Sequence, residues 1–244
     1  MSSRVESVEA EGGSFDLPVW LPDGGTGPGL LLIQEIFGIS DYIREVAEDL
    51  AGLGYVVAAP DLFWRLEPGY QAKHDEEGVQ RSLEMGSRFD VEQGVADAGA
   101  ALDRLTALPE VEGGVGIIGF CLGGTIGYFL AAQAGPDTVD AVVSFYGSGV
   151  PDSLEALDQI VSPVMFHFGG SDPYIPRDQV ARVEEAAAGR DNVQVHVEEA
   201  AGHAFHNRKA PMFNVPEAAG RAWQRTEEFL QRHLPTRHGA SASS

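Results

Sequence analysis

The stretch VGIIGFCLGGT, residues 115–125, decides how the chain is read. Its apolar first half is short and bounded by glycine, which suits a buried strand, while Leu122 to Gln133 is long enough for a helix. The join, Gly119-Phe120-Cys121-Leu122-Gly123-Gly124, places glycine on both sides of the chain's one cysteine. A strand that turns this sharply into a helix strains its central residue, and a Cβ nearby would collide, so glycine is needed there. G-x-C-x-G therefore reads as a nucleophile elbow. The thiol would project above the end of a parallel sheet, beside the unpaired N–H groups and positive dipole end of the helix, both of which favour a thiolate. A lone cysteine is also at home as a small buried hydrophobe. The other strand ends must decide between the two.

Working outward, Leu30 to Ile33 and Ala141 to Tyr146 are continuous apolar runs, the signature of strands buried on both faces. Tyr55 to Ala59, Val164 to Phe168 and Val193 to Val197 complete the strand set, and Phe15 to Leu21 reads as an edge strand because it contains Pro18. Between them lie helical stretches at Tyr42 to Leu53, Asp90 to Leu108 and Pro176 to Ala188, with an amphipathic helix at Pro216 to Leu234. Asp61 to Arg88 shows no period and reads as an excursion over the active face. Alternation of strands and helices predicts a single-domain α/β fold with a mostly parallel, doubly wound sheet. Residues 1–13 read as a flexible segment, 14–234 as the folded domain and 235–244 as a disordered tail.

At 244 residues and 43% hydrophobic content the chain suits one soluble globular unit. Met1 to Gly13 has no apolar core of a signal peptide, and no run approaches the roughly 18 apolar residues of a membrane span, which points to a cytoplasmic protein. A single cysteine forms no internal disulfide, in keeping with a reducing compartment. The net charge of −21, from 37 acidic and 16 basic residues, argues against nucleic acid or anionic membrane as partner. That acidity fits either a well-solvated surface or adaptation to high salt. The scarcity of lysine, only Lys73 and Lys209, fits salt adaptation or GC-rich codons equally. The expected partner is a small molecule, bound by a monomer or homodimer.

Ligands of doubly wound sheets sit at the carboxyl ends of the strands. Four chemically capable residues fall there: Glu35, Cys121, Asp172 and His203. Nucleophile, acid, histidine is the chain order that α/β-hydrolases impose on their triad. Taken singly, each has a plainer role: Asp172 as a turn or cap residue, His203 as a surface histidine, Glu35 in a salt bridge or cap. The spacing of His203 and His206 raises a metal reading. It lacks further ligands, so no metal or other cofactor is expected.

The segments GFCLGG around Cys121, QEIFG around Glu35, GGSDPYIP around Asp172, EEAAGHAF around His203 and FDVEQGVADA near Asp90 together resemble the dienelactone hydrolase family, from about Ser14 to Leu234. The resemblance implies an α/β-hydrolase without a large cap domain and a triad of Cys121, His203 and Asp172. It also implies that Glu35 interacts with the thiol and helps switch it between resting and reactive states. The oxyanion hole would be the backbone N–H groups of Leu122 and Ile36. The reaction implied is carboxymethylenebutenolidase-like hydrolysis of a lactone or ester through a thioester.

Dienelactone-specific members hold the substrate carboxylate with two arginines, and here neither is in register. Arg81 lies two positions too close to Phe89, Asn207 stands where the second is expected, with Arg208 one further on, and Gly86 replaces a tryptophan. A shifted arginine need not reach, because bidentate recognition is geometrically demanding. Phe37, Tyr146, Arg81 and Arg208 are the candidate substrate contacts, the aromatic ones being as well suited to the core. The alternatives are a general carboxylesterase or thioesterase without dienelactone activity, and a redox-responsive binding protein with Cys121 as its sensor. No resolving cysteine accompanies Cys121, which weighs against the sensor.

Overall fold

The aliphatic runs become the centre of an eight-stranded sheet. The computed structural model describes residues 2–135 and 137–237. In chain order the elements are β1 (Ser2–Ala10), β2 (Gly13–Leu21), β3 (Gly27–Ile33), α1 (Asp41–Gly52), β4 (Val56–Ala58), α2 (Glu76–Ser87), α3 (Val91–Thr106), β5 (Val111–Phe120) and α4 (Leu122–Gln133). There follow β6 (Ala141–Phe145), a short 3-10 turn at Leu154–Gln159, β7 (Val164–Gly169), α5 (Arg177–Ala187), β8 (Val193–Glu198) and α6 (Pro216–His233). The sheet order is β1-β2-β4-β3-β5-β6-β7-β8, antiparallel at the β1–β2 and β2–β4 pairs and parallel from β4 to β8. Every residue of β3 is buried, as are the last six of β5. Chain order reverses between these two neighbours. Their carboxyl ends therefore flank the crevice where such sheets bind ligands.

Helix α4 is apolar nearly all round and buries eight of its residues between the sheet and its neighbours, as expected of a helix without a solvent face. The surface helices α1, α3, α5 and α6 bury one stripe each, and α3 starts at an N-cap where the Asp90 side chain accepts from Gln93 N.

Three expectations need correction. Residues 2–10 are not a flexible segment but strand β1, paired with β2 along its whole length through a turn in which Gly12 takes φ +87°. Only Val8 of β1 is buried, so no apolar pattern advertises the strand. Its stability comes from the backbone ladder and from Arg4, which bonds to Glu6 and, in bidentate fashion, to Glu110. Consequently β2 is not an edge strand. Pro18 is tolerated because it sits where the two-residue β2–β4 ladder has ended, its carbonyl accepting from Ala59 N. Of the segment 235–244, Thr236 is buried and Arg237 pairs with Glu112, so those residues are ordered against the domain; 238–244 lie outside the described residues.

The 61–88 excursion contains a helix, α2, that periodicity did not reveal. Its N-cap is Asp75, whose carboxylate accepts from Gly78 N at 2.9 Å. Its buried positions are Gly78, Ser82 and Met85, so only one large apolar side chain marks the inward face.

Candidate active site

The elbow between β5 and α4 is built by steric exclusion. Cys121 has φ 55° and ψ −116°, a conformation that costs a non-glycine residue roughly 1–3 kcal/mol. It is held there by Cys121 N donating to Phe145 O at 2.9 Å and Thr125 N donating to Cys121 O at 3.2 Å. A Cβ at Gly119 would lie 2.1 Å from Gly123 O, and one at Gly123 would lie 2.2 Å from Ile33 O. The turn is therefore closed to any other residue at both places.

Two further loops reach the thiol from the ends of β7 and β8. His203 Nε2 lies 3.1 Å from Cys121 Sγ, and His203 Nδ1 lies 2.7 Å from Asp172 Oδ2. The other oxygen of Asp172 accepts from the backbone N–H of Tyr174 at 2.8 Å and of Ile175 at 3.3 Å. The carboxylate is thus fixed before it meets the imidazole. The loops are tied together by Ser171 N donating to Ala201 O, and the rings of Tyr146 and Tyr174 pack against His203 at 5.2 and 5.1 Å. Burial by itself pushes the imidazolium of His203 down. The thiolate of Cys121 and the bonded carboxylate of Asp172 outweigh it and hold His203 well above its ordinary value.

Glu35, two residues past the Ile33 that ends β3, is buried. Its Oε2 accepts from Asn207 Nδ2 at 2.8 Å, with His74 Nε2 at 3.8 Å, while Oε1 has no hydrogen-bond partner among the described residues. No bond joins it to Cys121 in this conformation, where the thiol is engaged by His203. Leu122 occupies the first position of α4, where a backbone N–H has no carbonyl of its own helix to bond. Ile36, from the loop after β3, lines the same cavity as Cys121.

That cavity has a volume of about 190 Å³, below the ~300 Å³ at which drug-sized ligands begin to fit. Glu35, Cys121, Ser148 and His203 supply its polar groups; Ile36, Phe37, Val79, Leu83, Tyr174, Ala204 and Phe213 supply the rest. Of the candidate substrate contacts only Phe37 lines it. Tyr146 is fully buried behind His203. Arg81 is exposed, bonded to Glu67 and stacked over Tyr70 at 5.0 Å. Arg208 is paired with Asp49 of α1. Neither arginine faces the cavity. Val79 and Leu83 on α2 belong to the Trp64 to Met85 excursion that the sequence offered as a pocket lining, without singling them out, whereas Tyr174, Phe213 and the roles of Asn207 and His74 as Glu35 partners were not anticipated. Most come from segments without a periodic pattern, and only the Asp172-Pro173-Tyr174 turn carried a signal.

His206 is no surface ligand. Its ring is stacked between Phe120 and Trp223 with Nδ1 2.7 Å from the Tyr42 hydroxyl, and burial pushes its pKa down to about 3. Among the described residues no cluster of three or more His, Cys, Asp or Glu side chains is arranged to hold a metal ion. Nor, among them, is any helix long and apolar enough to cross a membrane.

An open, mostly parallel sheet with an elbow at the end of a central strand, followed by acid and histidine loops from later strands, is the α/β-hydrolase arrangement. The chain belongs to the dienelactone hydrolase family, whose sequence pattern it matches over residues 15–234. It is 36% identical over 231 residues to a carboxymethylenebutenolidase of Pseudomonas sp. (strain P51), an alignment spanning 94% of this chain and 95% of that one. A carboxymethylenebutenolidase of Pseudomonas putida is 33% identical, with 94% and 96% covered. Among solved structures, a dienelactone hydrolase from Anabaena variabilis has the same fold, with TM-score 0.70 at 24% identity over 96% of this chain and 98% of that one. The chain is accordingly a hydrolase acting on ester or lactone bonds.

Proposed function

We propose that the chain is a cysteine-dependent hydrolase of small lactones or esters that works through a thioester acyl-enzyme. The observation that carries this is the line from Cys121 Sγ through His203 to Asp172, with contacts of 3.1 and 2.7 Å. The thiolate of Cys121 attacks the carbonyl carbon, and the negative charge that develops on oxygen is taken by the N–H groups of Leu122 and Ile36. The C–O bond then breaks, and the imidazolium of His203 gives its Nε2 proton to the departing oxygen. Neutral His203 takes a proton from a water molecule that attacks the thioester, and cleavage of the C–S bond restores the thiolate–imidazolium pair. Asp172 fixes the tautomer and orientation of His203 throughout. Glu35 is the acceptor available in the cavity to a protonated thiol turned away from His203, and so biases the thiol between resting and reactive positions.

The test is hydrolysis of para-nitrophenyl acetate and of a panel of lactones by the wild type and by Cys121→Ala. Loss of about 10³-fold or more is expected, with an acyl adduct on Cys121 of the wild type detected by mass spectrometry. Full activity in Cys121→Ala would remove the mechanism.

A further inference from the structure

We infer that the site selects neutral, apolar lactones or esters and excludes substrates bearing a free carboxylate, with Glu35 setting that preference; this rests on the hydrolase reading above. The relatives' name denotes a butenolide carrying a carboxymethylene group, an anion at neutral pH. Such a ligand needs a cation in the pocket. Among the described residues no arginine or lysine lines this cavity. Cationic side chains close in sequence to the site are committed elsewhere: Arg81 to Glu67, Arg177 to Glu184 and Glu199, Arg208 to Asp49 and Lys209 to Glu45. The position next to Glu35 that could have carried a guanidinium is Asn207, which donates one neutral hydrogen bond.

The charges that remain are of the wrong sign for a carboxylate. The thiolate and imidazolium of Cys121 and His203 offset each other. Asp172 lies behind His203, compensated by the imidazole and the N–H groups of Tyr174 and Ile175, which leaves Glu35 as the acidic group lining a small site of low dielectric, where like charges repel far more strongly than in water. Glu35 Oε1 is buried and has no hydrogen-bond partner among the described residues, so no donor there offsets its negative end. His74, at 3.8 Å from Oε2, lines a separate depression with Lys73 and Lys209. The mouth is apolar as well: Leu83 and Tyr174 line the cavity and remain 47% and 57% exposed. They continue an apolar wall outward for the uncharged portion of an ester.

Two experiments on the full chain test this. In the first, Cys121 is alkylated with iodoacetamide or with iodoacetate, the thiolate displacing iodide in each case. The same two rates are measured for free 2-mercaptoethanol, so that the intrinsic reactivity of the reagents cancels. The ratio of iodoacetamide to iodoacetate rates should be about tenfold larger at Cys121 than for the free thiol, the factor that each ~1.4 kcal/mol of repulsion produces. The preference should shrink in molar salt and in Glu35→Gln. Leu83→Lys, at an exposed position that should not endanger folding, should shrink it too. A ratio at Cys121 no larger than that of 2-mercaptoethanol would overturn the inference, as would a preference unchanged in Glu35→Gln. In the second, the carboxymethylene butenolide is compared with its methyl ester, with kcat/KM expected about tenfold or more higher for the ester. Hydrolysis of the free acid as fast as the ester overturns the exclusion while the hydrolase reading stands. Selective alkylation without hydrolysis of either lactone supports the exclusion and removes the hydrolase reading instead.

Discussion

The two walls of the cavity are made in different ways. One is the ends of β3, β5, β7 and β8, which carry Ile36, Cys121, Asp172 and His203 on loops locked by backbone hydrogen bonds and glycine contacts. The other is α2, which offers Val79 and Leu83 to the cavity but buries only Gly78, Ser82 and Met85 beneath it. The first wall is part of the core of the protein, and a Cβ added at Gly119, Gly123 or Gly169 would meet a carbonyl oxygen at 2.1, 2.2 or 2.5 Å. The second rests on a small separate cluster of Phe63, Tyr70 and Met85. On the proposed mechanism, chemistry is held by elements that belong to the core, and substrate fit by an element that can change with little cost to the fold. This division is what lets one scaffold retain its reaction while its substrate varies.

The contrast is broken most severely at the first wall. Asp172→Asn should lower kcat by about 10²–10⁴-fold, as expected when a triad acid can no longer hold the histidine's tautomer. Because His203 is held above its ordinary value partly by Asp172, activity that depends on its proton falls as pH rises through that raised value. In the variant this alkaline limb should move to lower pH; a limb that stays in place would deny Asp172 its influence on His203. Gly123→Ala should destabilise the fold by about 3 kcal/mol or more, read in urea, since its Cβ would sit 2.2 Å from Ile33 O and a packed core yields little. A near-normal midpoint would show the elbow to be less rigid than described.

Beneath the same wall, His206 gives a pH dependence of stability. Its folded value of about 3 lies below an unfolded value near 6.5, so its contribution is complete above the unfolded value and lost as pH falls from there toward 3. The loss has a ceiling of about 5 kcal/mol at ~1.4 kcal/mol per unit. His206→Gln should flatten the acid slope of the unfolding free energy, although His167 and His196, also lowered by burial, will keep part of it. An unchanged slope would mean that His206 does not stay neutral in the fold. At the second wall the effects should be smallest. Leu83→Ala should raise KM about fivefold for an apolar ester, the worth of about 1 kcal/mol of contact, leaving kcat within twofold and the unfolding midpoint unmoved. A kcat loss as large as that of Asp172→Asn would erase the distinction between the walls.

What was legible in the sequence follows the same boundary. The strand-turn-helix at Cys121 announces itself locally, through glycine at 119 and 123 and an apolar run on each side, although the carbonyl that closes Gly123 to a side chain belongs to Ile33 of β3. Continuous aliphatic runs announce strands buried on both faces, and residues directly after them fall at the crevice, so Cys121, Asp172, His203 and Glu35 could be placed from their own surroundings. The N-terminal strand could not, because its stability lies in a backbone ladder to β2 and in Arg4 reaching Glu110, neither of which leaves a period in residues 2–10. Helix α2 was hidden for a related reason, since its inward face includes Gly78 and Ser82. The partners of Glu35, the outward turn of Arg81 and Arg208, and the lack of a guanidinium among the described residues of the cavity were decided only by tertiary structure. Each depends on which of several distant groups a flexible side chain meets, and that is settled by packing between elements rather than by any spacing along the chain.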